Sequence, residues 1–280
     1  MPREVDCYDC DVRWRVEEAA GRLDAMPKPS ALLFDFGGTL DCPSHWLDRF
    51  LKHYQAAGFD ITREELDPAF DFATKAGYAA GKSMERFKLG DLVRFLVGNQ
   101  FEYLRGEGPE RFRESLSKMD SRERFKNVER VRESFLKETT AGLAHSKDIV
   151  GRLKPHFKLG VVSNWYGNLD AIIAEAGMGG LFASITDSTR VRAFKPDVTI
   201  FQAALKALGT TAHQTAMVGD SMNKDLAPAH RIGMRTVLLI SIGHEHEPAV
   251  STAQSSNGSG SDFAPDHTIH SLEEILTLAW

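Results

Sequence analysis

The sequence predicts an α/β protein in which a parallel sheet, covered on both faces, carries an all-helical block inserted after its first strand. Three observations predict it. Short apolar runs alternate with helices of about ten residues after Pro155, and a glycine follows each of those helices. Between the first apolar run and Pro155, about a hundred residues show three- and four-residue apolar spacing with no convincing strand. A chain of 280 residues also corresponds to about two units at roughly 150 residues each.

In chain order, residues 1–28 are polar, of mixed charge, with a short helix expected around Arg13–Leu23, and they end at Pro27-Lys-Pro29. The run Ala31-Leu-Leu-Phe-Asp35 reads as a buried strand that delivers a loop at Gly37-Gly38. His45–Ala57, Ser83–Phe101 and Asn127–Ala144 carry the helical spacing of the block. Next come a strand at Phe157–Val162 and a helix at Leu169–Ala176 closed by Gly177. A helix at Val198–Leu208 closed by Gly209 leads to a strand at Thr215–Val218. A helix at Asp225–Ile232 closed by Gly233 leads to a strand at Arg235–Ile240. Glu247–Asp262 is a Ser/Gly/Asn-rich loop. His267–His270 reads as an edge strand, and Ser271 with Glu274 has the spacing of a capping box opening an apolar helix. This divides the chain into an N-terminal extension (1–28), a split core (29–43 and 155–280) and a helical unit (44–154).

Composition excludes several classes. The chain is 42% hydrophobic and 26% charged with a net charge of −5, ordinary for a globular protein and without the basic field that draws in nucleic acid. No stretch approaches the ~18 apolar residues that span a bilayer, and the first residues lack the apolar core of a signal peptide. Three cysteines make no disulfide framework. A cytoplasmic protein with neither nucleic-acid nor membrane partners is the expectation; oligomeric state is open.

Four polar elements fall at or near the carboxyl ends of the strands, where open α/β sheets bind ligands. They are Asp35, Ser163-Asn164, Lys195-Pro196, and Gly219-Asp220 with Asp225. Any one alone is equally a turn signal. Together they share a logic: converging carboxylates repel unless they hold a cation, and an all-oxygen site with few protein ligands suits magnesium. A lysine and a hydroxyl beside that cation surround a phosphoryl group, and an aspartate in their midst is a nucleophile for it.

In these residues the chain resembles the haloacid dehalogenase (HAD) superfamily, in the phosphatase-like branch with a helical cap after the first strand. Phe34-Asp35-Phe36-Gly37-Gly38-Thr39-Leu40 resembles its first motif and Val161-Val162-Ser163-Asn164 its second. Phe194-Lys195-Pro196-Asp197 resembles the third, and Val218-Gly219-Asp220-Ser221 through Asp225 the fourth. The resemblance implies a Rossmann-like doubly wound core with an inserted cap domain. It implies that Asp35 is the nucleophile, with Ser163 and Lys195 acting on the transferring phosphoryl group. Gly38, Thr39, Asn164 and Trp165 are then substrate-binding positions. Asp35, the Gly37 carbonyl, Asp220 and, less directly, Asp225 serve Mg2+. The implied activity is hydrolysis of a small phosphorylated substrate.

One position departs from the pattern. Two residues after the nucleophile the common phosphatase motif has an acidic general acid–base, typically worth ~10²–10⁴ in rate, and here stands Gly37. The departure disfavours a mutase and leaves a leaving group to be protonated by water, by a cap residue or by His45. It also admits a catalytically impaired phosphate-binding or regulatory protein. Haloacid dehalogenation is a third reading, disfavoured because dehalogenases lack the first aspartate of the fourth motif, which Asp220 supplies here.

Weaker signals complete the reading. Cys7 and Cys10 have metal spacing but no second pair, and read as surface cysteines. Cys42 reads as a packing residue, and His244 with His246 as a solvated loop. Trp165-Tyr166 and His45-Trp46 are expected at opposite walls of the crevice, stacking on a substrate or packing against the cap.

Overall fold

The computed structural model describes residues 27–240 and 263–280. Residues 1–26 of the extension, with Cys7, Cys10 and the helix expected around Arg13–Leu23, the loop 247–262 and His244 with His246 lie outside them. β1 (Ala31–Phe34) is followed by α1 (Trp46–Ala56), α2 (Arg63–Ala79), α3 (Leu89–Gly106), α4 (Glu110–Lys118) and α5 (Ser121–Leu153). The chain then alternates: β2 (Lys158–Ser163), α6 (Leu169–Glu175), β3 (Ser184–Asp187), α7 (Ser188–Val191) and α8 (Val198–Leu208). It ends with β4 (Thr215–Gly219), α9 (Ala227–Arg231), β5 (Arg235–Leu239) and β6 (His267–Ile269).

The six strands form one parallel sheet in the order β3-β2-β1-β4-β5-β6. The order reverses at β1, whose Phe34 pairs with Val161 on one side and Val218 on the other. That is a topological switch point, and it opens a crevice at the carboxyl end of β1. Alternate residues of β1 feed opposite faces. Leu32 and Phe34 join a core that runs on into the helical block, while Ala31 and Leu33 join a second core with Ile200, Phe201 and Ala204 of α8.

Local signals set most boundaries. Asp197 caps α8 by accepting from Thr199 N at 2.9 Å, and Gly209 ends it in the left-handed region (φ 66°). Thr62 and Glu65 form a capping box at α2. Three expectations are corrected. The strand β3 was not expected: it is four residues long with three of them polar, too short to show alternation. The helix expected over Asp225–Ile232 starts earlier, as a π-helical turn at Met222–Leu226 before α9. The segment after Ser271 keeps its capping box but winds as a 3₁₀ helix over Leu272–Thr277. Among the described residues, no helix is long and apolar enough to cross a membrane.

A polar cluster joins α1 to α5. Glu138 accepts from Lys52 Nζ at 2.6 Å and pairs with His53 Nε2 at 2.8 Å. Burial opposes its charge, yet Lys52, His53 and Arg49 outweigh burial and hold the carboxyl at about 2. Burial pushes His53 down. Both groups bind fewer protons folded than unfolded, so their contribution is present at neutral pH and lost as the pH falls. His53 loses its share below its ordinary value, and Glu138 loses its share through the carboxylate range towards about 2. Glu138→Gln is therefore expected to lower stability at pH 7 by about 1–2 kcal/mol after solvent screening, and to flatten the loss between pH 5 and 3. Urea unfolding across that pH range checks it.

Candidate active site

Asp35 follows β1 directly, its amide donating to Val218 O at 2.9 Å, so the sheet itself aims the carboxylate into the crevice. Ser163, the last residue of β2, donates its hydroxyl to Asp35 Oδ1 at 2.6 Å. Lys195, from the loop before α8, places Nζ 2.7 Å from Asp35 Oδ1 and 2.5 Å from Asp225 Oδ1. The backbone of Lys195 is clasped by Asn164, whose side chain accepts from Lys195 N at 2.7 Å and donates to Lys195 O at 3.0 Å. Asp225 is fully buried and also accepts from Ser221 N at 3.1 Å.

Asp220 completes the group. One oxygen each from Asp35, Asp220 and Asp225 lie within 4.8 Å of one another. Burial first, then the charges of Asp225 and Asp35, push the Asp220 carboxyl well up. Burial raises Asp225 to about 6 against the opposing pull of Lys195. Lys195 would lose its proton more readily through burial alone, but Asp225 and Asp35 reverse this and hold it charged. Three carboxylates against one ammonium leave negative charge that a divalent cation fits, and the donors are all oxygen, as Mg2+ prefers. Asp35 and Asp220 would hold the ion, with the Gly37 carbonyl beside them and Asp225 behind.

The loop after Asp35 is shaped by close approach. Gly38 adopts φ 84°, and a Cβ there would collide with the Asp220 carboxylate. Only glycine meets both conditions. Thr39 is buried, with a hydroxyl that has no hydrogen-bond partner among the described residues. At Gly37 a Cβ would lie 3.4 Å from both Trp46 Nε1 and Trp165 Cζ3, so two indoles flank the space where the usual acid would extend. Trp165 is buried edge-on against Phe36 and Trp46, with centroids at 4.9 and 5.3 Å. Tyr166 packs on Tyr78 of α2 at 4.8 Å. Of the two roles open to these aromatics, the structure displays packing. His45 caps α1, accepting from Leu47 N at 3.3 Å, with its ring against Phe70. Cys42 is half-buried between the loop and α1.

Sequence reasoning missed two carboxylates. Asp41 is fully buried and accepts from Gly38 N at 2.8 Å, Trp46 Nε1 at 2.6 Å and Arg49 Nη1 at 2.6 Å. Arg49, on α1, continues to Thr139 of α5, so the loop beside Asp35 is pinned to the helical block. Burial raises the Asp41 carboxyl and the Arg49 charge opposes it. Asp187, at the end of the unforeseen β3, accepts from Gly167 N, Leu169 N and Thr189 N at 2.8–3.2 Å and fixes the turn after Ser163-Asn164. Only a carboxylate at a strand end could have signalled it, and that strand was not seen.

The arrangement defines a hydrolase class. The family model for haloacid dehalogenase-like hydrolases matches residues 29–233, and the chain belongs to that family. It is 31% identical to haloacid dehalogenase-like hydrolase domain-containing protein 3 of Danio rerio over 118 residues, 42% of this chain and 44% of that protein. It is 28% identical to the sugar-phosphatase AraL of Bacillus subtilis over 105 residues, 37% of this chain and 35% of that one. It is also 28% identical to a glyceraldehyde 3-phosphate phosphatase of Methanocaldococcus jannaschii over 102 residues, 36% of this chain and 40% of that one. The chain thus spans less than half the length of these curated relatives. Among solved structures, the fold matches a dehalogenase in an intermediate complex (TM-score 0.56, 16% identity, 89% of this chain and 96% of that one). It also matches the L-2-haloacid dehalogenase RSc1362 (TM-score 0.53, 21% identity, 90% and 98%).

Asp220 tests the charge account. Asp220→Asn relieves repulsion, so the variant is expected to melt about 2–4 °C above the parent in EDTA, for about 1 kcal/mol relieved. It is also expected to lose most of the rise in melting temperature that Mg2+ gives the parent. Thermal unfolding with and without Mg2+ measures both.

Proposed function

We propose that the chain is a magnesium-dependent phosphohydrolase acting on a small phosphorylated metabolite in the cytoplasm, through an aspartyl-phosphate on Asp35. The observation that carries this reading is the single cluster of Asp35, Ser163, Lys195, Asp220 and Asp225 at the carboxyl end of the sheet. The phosphatase names of two partial relatives support it. Residues 44–154 act as the cap and choose the substrate, and the split core 29–43 and 155–280 does the chemistry.

Each residue's part follows from its contacts. Asp35 supplies the attacking oxygen, which Ser163 and Lys195 already orient. Lys195 carries its charge toward the phosphoryl oxygens while Asp225 anchors it from behind. The Thr39 hydroxyl, without a partner among the described residues, is a donor for those oxygens, and the Ser163 hydroxyl becomes one by turning from Asp35. Mg2+, when bound, offsets the charge of the phosphate and of the carboxylates. Water then attacks phosphorus and restores Asp35.

A binding protein without turnover is the second reading, favoured by Gly37. Two substitutions separate them. Asp35→Asn is expected to abolish Mg2+-dependent phosphate release, by at least about 10³-fold, with the fold intact by circular dichroism. Gly37→Asp is expected to give no gain over the parent, because Trp46 and Trp165 occupy the space beside its Cβ. A large gain from near zero would favour the binding reading. A phosphate-release assay over a panel of phosphomonoesters reads both.

A further inference from the structure

With no side chain at position 37, the leaving oxygen of a phosphomonoester has no acid beside it, and His45 is turned to Phe70 and its own helix. The helical block offers a different group. Tyr78 stands near the end of α2, where its ring touches the segment that follows Ser163 and the loop that carries Lys195. Its ring lies 4.8 Å from that of Tyr166, three residues after Ser163, and 5.3 Å edge-on from Phe194, next to Lys195. The approach is close: a Cβ on the neighbouring Gly77 would lie 2.6 Å from Tyr166 Cε1. The hydroxyl of Tyr78 makes no hydrogen bond to another described residue, whereas Ser163, Asn164 and Lys195 are paired.

We propose that Tyr78 is the substrate-contacting group of the helical block, donating its hydroxyl hydrogen bond to the leaving-group oxygen in place of the acid missing at Gly37. This rests on the phosphohydrolase reading. Burial, then the Tyr166 phenol and the carboxylates of Asp187 and Asp35, oppose ionisation of Tyr78 and keep it a donor at any working pH. The step balances without a proton from the protein. Asp35 bonds to phosphorus, the bond from phosphorus to the leaving oxygen breaks with its electron pair on that oxygen, and a water molecule supplies the proton. Tyr78 stabilises the charge while it develops and keeps its own proton. Such a donor matters most for alkyl phosphates and little for esters whose leaving group is already stable as an anion.

The test is Tyr78→Phe, which keeps the ring contacts with Tyr166 and Phe194 and removes only the hydroxyl. kcat/KM is measured with Mg2+ for parent and variant over a series from dinitrophenyl phosphate through phenyl phosphate to alkyl phosphates, alongside thermal melting. The expected result is a loss of about 10- to 100-fold for alkyl phosphates that shrinks to nearly nothing for dinitrophenyl phosphate, with an unchanged melt. An equal loss across the series, a lowered melt with uniform loss, or no loss at all would overturn the role. Parent activity on dinitrophenyl phosphate keeps the phosphohydrolase reading standing in each of those cases. A parent inactive on every ester overturns that reading and this one with it.

Discussion

Lys195 cannot balance the charges gathered around it, and much of the site follows from that shortage. Its ammonium touches Asp35 and Asp225, and its pull on Asp220 does not offset the burial and repulsion that push that carboxyl up. A buried charge without a partner is expensive, and mutual repulsion adds to the expense. The protein holds the group together through backbone: Asp35 is fixed by β1 pairing with β4, and Asp225 by Ser221 N. Lys195 itself is held by Asn164. Like charge held together in this way suits a divalent cation.

The same end of the sheet is held from the opposite side. Asp41 ties the amide of Gly38 to Arg49, and Arg49 reaches α5, so the loop after the nucleophile cannot shift without the helical block. Trp46, bonded to Asp41, lies against the open edge of Gly37. Breaking a buried pair of this kind by removing one partner costs about 3–5 kcal/mol, so the link between loop and helices is firm. The loss of a side chain at position 37 and the two indoles beside it are one arrangement. An acid there would lie in contact with both Trp46 and Trp165.

Asp35, Ser163 and Asp220 were legible because each ends or directly follows a strand, and strand ends show in a sequence as apolar runs that stop on a polar residue; Lys195 and Asp225 lie in the loop before α8 and in the turn after β4. The helical block was legible from its spacing, and α8 from Asp197 and Gly209. What stayed hidden depends on neighbours distant in the chain. Asp187 lies on a strand of four residues, whose place is set by pairing with β2. Asp41 looks like any loop aspartate until Arg49 and Gly38 close on it. Tyr78 is one of three aromatics in α2, and only the packing of α2 on Tyr166 and Phe194 brings it beside the loops next to Ser163 and Lys195.

The central claim is that Asp35 carries the phosphoryl group during turnover. Borohydride reduction of the acid-quenched enzyme, taken during hydrolysis of a phosphomonoester with Mg2+, converts an acyl phosphate to the alcohol, and peptide mass spectrometry locates the change. The account predicts homoserine at position 35, only when substrate and Mg2+ are both present. Turnover with residue 35 unmodified, or with the modification at another carboxylate, would contradict it.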